Sequence, residues 1–323
     1  MNRFSCTGRP LAPTPPGPVD LTVLAPHGVA RTADLVATGI SPAAIQRRCL
    51  SGRWKRVGLG LVRVGPGRSD DDQLLHTALA HGGESSVITG VHALRRHDLT
   101  RTTVDGRIRV LIPADRRRRS TELTVVERTG RLPEGVLRGG VRVAPVERAV
   151  LDTARTRDTR DSVRSVIAEA VQRRRTTVAR LVQELADGSQ RGTALPRSVL
   201  REVECGIRSV AEGWAFDVHH RSDLPPILWN RRLLTASGRF LASPDGFFDD
   251  VAMAWEIDSK EFHLTPEEWE ATLRRRADMT NAQVVVAHHP PAFVLEQPRR
   301  VVADLWGAYR LAASRPRPEV LAR

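Results

Sequence analysis

Two strand-like runs, Arg239–Ser243 and Val251–Ile257, flank an Asp249-Asp250 pair suited to a turn, and no other stretch restricts the fold so tightly. With the turn centred there, residue 245 stands opposite 254. Residue 256 lies two further along the partner strand and so shares its face. Asp245 and Glu256 then become diagonal cross-strand neighbours, with backbones about 7–8 Å apart. Asp258 and Lys260 continue the same face by alternation. Three carboxylates and one of only two lysines in the chain are therefore expected in one row.

Such a row is costly without positive compensation, because like charges raise one another's pKa. A divalent cation with oxygen ligands supplies it. Mg²⁺ takes one or two carboxylates together with water and substrate phosphate, which makes Asp245, Glu256 and Asp258 the candidate metal ligands. Such an ion activates water for attack on phosphorus, and Lys260 would hold that water or a phosphate oxygen.

Upstream, one helix is expected from Ser198 to about Phe216. Val199, Val203, Ile207, Val210 and Trp214 recur at its 3.6-residue period. Glu204, Arg208 and Glu212 are spaced by four on another side, as in a ladder of surface ion pairs.

Residues 20–66 read as a compact unit. Short helices are expected at Asp20–Ala25 and Thr32–Thr38. A third starts at Ser41 as N-cap with Pro42 in the first turn, runs through Leu50 and ends at Gly52. Trp54–Val57 and Leu61–Val64 then read as two strands around Gly58-Leu59-Gly60. Three helices followed by a two-stranded wing is the order of a winged helix-turn-helix. In that reading Gln46, Arg47 and Arg48 enter the major groove behind Ser41, while Arg53, Lys55 and Arg56 reach phosphates from the wing. The alternative is a small helical cap whose arginines are merely solvated.

Turn chemistry favours the first version, and the layout of charge agrees with it. Residues 1–200 hold 34 Lys and Arg against 19 Asp and Glu, whereas residues 201–323 hold 16 against 18. The whole excess of the +13 chain thus lies ahead of the acidic row, where a basic surface attracts a phosphate backbone. Arginine supplies 48 of the 50 cations, which a GC-rich genome also explains.

The remaining divisions follow from punctuation. Residues 1–19, rich in Pro and Gly, are expected to form a disordered leader. Residues 67–156 form a mixed α+β unit with helices at Asp72–His81, Val87–Arg96 and Val146–Arg155 and strands at Arg107–Ile112, Leu123–Glu127 and Gly140–Ala144. Residues 157–196 are a helical segment, helical over 160–186, with a linker expected at Gly188–Pro196. Residues 197–323 form the last domain. The overall expectation is a multidomain α/β chain. Cys6, Cys49 and Cys205 make neither a disulfide framework nor a metal knuckle, which suits a cytoplasmic protein, and no run suits a membrane span. His219-His220 and His288-His289 are adjacent, so each pair points to different sides and suggests no metal.

Ser243-Pro244-Asp245 and Trp255-Glu256-Ile257-Asp258-Ser259-Lys260-Glu261-Phe262-His263 carry a family resemblance. They resemble the core of PD-(D/E)XK domains related to very short patch repair endonucleases, common as C-terminal domains of actinobacterial proteins. The resemblance spans roughly residues 198–310. It implies that Glu212, Asp245, Glu256, Asp258, Lys260 and His263 are catalytic, that Mg²⁺ is the cofactor and that double-stranded DNA is the substrate. Arg275 and Met279 match a later helix of the family, and Val284–Val286 a valine-rich strand after it. The usual lysine stands two residues after the second acid. Here Asp258 holds that place, and Lys260 restores the spacing only when Asp258 is the acidic member.

Residues 21–155 resemble abortive-infection (AbiEi-type) antitoxins at Gly28-Val29, Gly52-Arg53-Trp54-Lys55-Arg56 and Val143–Asp152. That resemblance implies DNA binding, repression of the protein's own promoter and a cognate toxin as partner. Three functions therefore stand: a metal-dependent DNA endonuclease, a non-catalytic transcriptional regulator, and an interaction scaffold that needs no nucleic acid.

Overall fold

The computed structural model describes residues 21–25, 27–65, 70–104, 106–257 and 266–323, and it is a mixed α/β chain with several sheets. It divides into two compact units, one of residues up to 96 with 104–145, the other of residues 97–103 with 146–323.

The first unit begins with α1 (Leu21–Leu24), β1 (Val29–Arg31), α2 (Thr32–Ala37), α3 (Pro42–Leu50), β2 (Trp54–Gly58) and β3 (Leu61–Val64). The strands form an antiparallel sheet in the order β1-β3-β2. β1 is too short to show a period in the sequence, and pairing with β3 is what makes it a strand. Ser41 caps α3, its hydroxyl accepting from the Ala44 amide at 3.2 Å. Ala30, Leu35, Ile40, Ile45, Trp54 and Val62 form the core of this region. Thr32 ties the β2–β3 turn to α2, its amide and its hydroxyl each donating to the Gly60 carbonyl at 2.8 Å.

The unit continues with α4 (Asp71–Gly82), β4 (Val87–Thr89), α5 (Gly90–Arg96), β5 (Ile108–Pro113), β6 (Thr124–Thr129), β7 (Val136–Arg138) and β8 (Val141–Val143). These strands make a mixed sheet in the order β6-β5-β4-β8-β7. Residues 87–96 were expected as one helix. Val87-Ile88-Thr89 is instead a fully buried central strand, as suits β-branched residues, and Gly90 at φ 70° turns the chain into α5. Arg116–Arg119 lie exposed between β5 and β6.

In the second unit come α6 (Val146–Ala154), α7 (Arg160–Gln172), α8 (Val178–Asp187), α9 (Ala194–Glu204) and α10 (Val210–His220). Two stretches expected to be helical are broken. Residues 160–186 divide at Arg173–Thr177, where Arg174 adopts φ 54° and Thr177 caps α8. Residues 198–216 divide at Gly206, whose φ of 108° suits glycine best, and Ser209 starts α10 as N-cap. The apolar spacing Val199, Val203, Ile207, Val210 and Trp214 crosses the second break without marking it. Local capping chemistry, not the period, ends the helices.

Packing fixes the helices through buried charge. Arg164 on α7, 3% exposed, donates to Glu202 of α9 at 2.7 Å, to Asp217 of α10 at 2.8 Å and to Asp161 at 3.1 Å. Asp161 also accepts from the Trp214 indole at 2.8 Å. Gly213 lets α10 approach, since a Cβ there would stand 2.5 Å from Arg164 Nε. On α6 the Arg148 guanidinium and the Asp152 carboxylate, one turn apart, pair at 2.9 Å in a buried position. The Val143–Asp152 motif thus contributes to folding at these two residues.

The unit ends with β9 (Leu228–Trp229), β10 (Leu233–Thr235), β11 (Phe240–Ala242), β12 (Gly246–Phe248), β13 (Met253–Ile257), α11 (Pro266–Asn281), β14 (Val285–His289), α12 (Pro291–Glu296), α13 (Pro298–Ala313) and β15 (Val320–Ala322). One sheet has the order β14-β13-β12-β9, with β13 and β14 parallel and the rest antiparallel. A second has the order β11-β10-β15. Met253, Trp255 and Ile257 face a core that includes residues of α10, α12 and α13, while Phe247 and Ala254 face a separate core with Met279 of α11. Among the described residues, no helix is long and apolar enough to cross a membrane.

Candidate functional site

The pairing around the acidic row differs from the expected hairpin. β13 pairs with Gly246–Phe248, while Phe240–Ala242 pairs with β10. Pro244, which lacks an amide donor, separates the two segments. The turn spans Asp249 to Ala252, with Ala252 at φ 51°, so β13 begins at Met253 and not Val251. Gly246 therefore opposes Trp255. Continued by one residue, the same register sets Asp245 directly opposite Glu256, rather than opposite residue 254 with Glu256 diagonal.

Asp245 is fixed by the backbone around it. Its carboxylate accepts from the Ile257 amide at 2.7 Å, and its carbonyl accepts from the Asn230 amide at 3.0 Å. Asn230 follows β9 at φ 55°, a left-handed conformation that asparagine tolerates. From there its side-chain amide donates to Glu212 at 2.5 Å and to the Gly206 carbonyl at 3.0 Å. Glu212 is buried in the first turn of α10, where its own amide donates to Ser209 and its carboxylate accepts from the Arg208 amide at 2.8 Å. Asn230 thus joins Glu212 to Asp245, a link that residues eighteen and fifteen positions from it gave no sequence signal for.

By strand alternation Asp245 and Glu256 lie on the face that carries Phe247 and Ala254. The parallel β14 adds His288 beside Glu256 on that face, where the imidazole is exposed. His289 points the other way, as two adjacent strand residues must. It is buried against Trp255 and Phe293, and burial holds its pKa below the usual histidine value despite Asp304 nearby. Asp258, Lys260 and His263, three of the six residues expected to be catalytic, lie outside the described residues. No three His, Cys, Asp or Glu side chains among the described residues group as a metal site. The donor chemistry of Asp245 and Glu256 still suits a hard cation such as Mg²⁺, which binds through one or two carboxylates and retains water.

The second set of expected residues lies in the first unit. Gln46 and Arg47 are exposed on α3, and Arg53, Lys55 and Arg56 are exposed at and beside β2. None of these four cations has a hydrogen bond or ion pair from its side chain among the described residues. Arg48 differs. Its guanidinium lies 4.6 Å from the centre of the buried Trp54 ring, which removes it from the outward row with Gln46 and Arg47. Ser41 spends its hydroxyl on the helix cap. Leu59, 95% exposed at the β2–β3 turn, and Leu50, 80% exposed at the end of α3, add apolar surface that sequence reasoning passed over.

No protein-family profile and no curated protein matches the chain. Among solved structures, "Crystal structure of RV2827C protein from Mycobacterium tuberculosis" matches with 17% identity and a TM-score of 0.41, covering 64% of this chain and 82% of that chain.

Proposed function

We propose that the chain binds double-stranded DNA through a winged helix-turn-helix made by residues 21–65. The observation that carries this reading is the joint presence of an element order and a charge pattern. Helix, strand, helix, helix, strand, strand with sheet order β1-β3-β2 sets α3 ahead of a β2–β3 wing. The outward positions of both carry Arg47, Arg53, Lys55 and Arg56 without partners among the described residues. A salt-bridged surface would have to break pairs to reach phosphate, and this one does not. Ser41 and Arg48 support α3 in this reading, leaving Gln46 and Arg47 as the groove-facing pair.

Fluorescence anisotropy with a labelled duplex of mixed sequence tests the proposal. Affinity should fall about 10³-fold or more between 50 and 200 mM salt if six or more phosphates are neutralised. Arg47→Ala with Arg56→Ala should weaken binding at least ten-fold, and loss of a phosphate contact lowers the salt slope by about one. Binding that ignores both salt and the two arginines would return the region to a solvated helical cap.

A second reading rests on Asp245 opposite Glu256 with Glu212 joined to Asp245 through Asn230. In that reading residues 197–323 are a PD-(D/E)XK nuclease-like domain, with Asp258 and Lys260 completing the row. A divalent cation there would lower the pKa of bound water and neutralise phosphate charge. The protein's part is to hold two carboxylates where the two central strands of the sheet end, Asp245 just before β12 and Glu256 near the end of β13. Asp245→Ala should abolish Mg²⁺- or Mn²⁺-dependent cutting of duplex DNA while binding persists. If wild type cuts no DNA with either ion, the reading that survives is the non-catalytic regulator, in which Asp245→Ala leaves promoter binding and any cognate toxin untouched.

A further inference from the structure

A cleft of about 900 Å³ opens in the second unit, away from the Glu256 face, between the second half of α10, the turn after it and the α12–α13 corner. This volume lies within the range of small-molecule sites, which combine apolar walls with a few charged groups. Trp214, Val218, Val294 and Val302 supply the walls. Four charged side chains stand at its edge, and they divide by occupation. Asp217 is bound by Arg164 at 2.8 Å, and Asp223 accepts from the Trp306 indole at 3.1 Å. Arg221 and Arg299, both exposed, have no side-chain hydrogen bond or ion pair among the described residues. The indole is neutral, so Asp223 keeps its charge; with Asp217 paired to Arg164, the two arginines outweigh Asp223 and the unpaired charge at the cleft is net positive. α13 begins beside it with Pro298 in the first turn and no side-chain cap, which adds the partial positive charge of a helix start.

We infer that this cleft binds a small amphipathic anion, an apolar body carrying one carboxylate or phosphate group, with Arg221 and Arg299 on the anion and the body against Trp214 and Val218. A cationic amphiphile would meet the same walls but two unpaired guanidiniums. A neutral one would leave both without a partner. The proposal is independent of DNA binding and of hydrolysis, since it uses none of the residues assigned to either.

The test uses the full chain and four probes with one ten-carbon tail: decanoate, decyl phosphate, decanol and decylammonium, each below its aggregation threshold. Isothermal calorimetry should show one saturable site for at least one anion, binding at least ten-fold more tightly than decanol. The tighter of decanoate and decyl phosphate assigns the head group. Arg221→Gln with Arg299→Gln should remove the preference over decanol, and both positions are exposed, so melting should stay unchanged. Three results overturn the inference: no saturable binding of either anion, decylammonium binding as tightly as the anions, or an anion preference intact in the double variant.

Discussion

Arg164→Ala should cost the second unit about 3–5 kcal/mol of stability, the range found when one partner of a buried ion pair is removed. The guanidinium is 3% exposed and serves carboxylates on three sides, from α7, α9 and α10. Its loss leaves Glu202, itself buried, with Arg160 as its remaining ionic partner, and Asp217 without the cation that holds it. The space vacated cannot be refilled from α10, because glycine stands at position 213. Urea unfolding of wild type and variant measures the difference, and a melting shift of about 2–4 °C per kcal/mol is expected for a unit of this size. Arg164→Met combined with Glu202→Met should recover part of the loss, since a matched apolar replacement removes the stranded charge. A single variant within 1 kcal/mol of wild type would show that the network is wet and the helices are held by apolar packing alone.

Trp54→Ala should cost a similar amount, about 3–5 kcal/mol, but in the other unit. Trp54 is one of few large side chains in a small core, packed among Leu35, Ile45 and Val62. It also carries Arg48 over its ring, so the variant frees a second group along with the cavity it leaves. Hydrogen exchange reads the effect locally. Amides of residues 29–64 should lose protection while those of α7, α9 and α10 keep theirs, because the two units have separate cores. Under the proposed DNA binding, duplex affinity should fall with the same variant, since Trp54 of β2 shares its core with Ile45 of α3. Equal loss of protection across both units would mean that the chain unfolds as one body. Arg48→Ala alone should cost no more than about 2 kcal/mol, the worth of a desolvated cation–π contact.

How much of this was legible depended on whether the signal was local. Ser41-Pro42 announced α3 because a capping hydroxyl and a fixed φ act within one turn. The β2–β3 pair was legible for the same reason, since its two strands are joined by a short glycine-containing turn. Asp245 and Glu256 were found as neighbours, but in the wrong register. The strand opposite β13 follows Pro244, and the turn takes its extra length from Ala252 in a left-handed conformation that nothing in an alanine advertises. Arg48 shows the opposite error. Exposed spacing on α3 counted it with Gln46 and Arg47, whereas the ring that captures it comes six residues later from a strand.

The sequence by itself determined that α3 starts behind Ser41, where the positive charge is concentrated and that Asp245 and Glu256 share a strand face, because caps, composition and alternation are properties of adjacent residues. Only the tertiary structure decided that Asn230 links Glu212 to Asp245, that His288 stands beside Glu256, and that Arg221 and Arg299 share a cleft. Each of those depends on contacts between distant segments, and their geometry is set by how sheets and helices pack rather than by any residue's own preference.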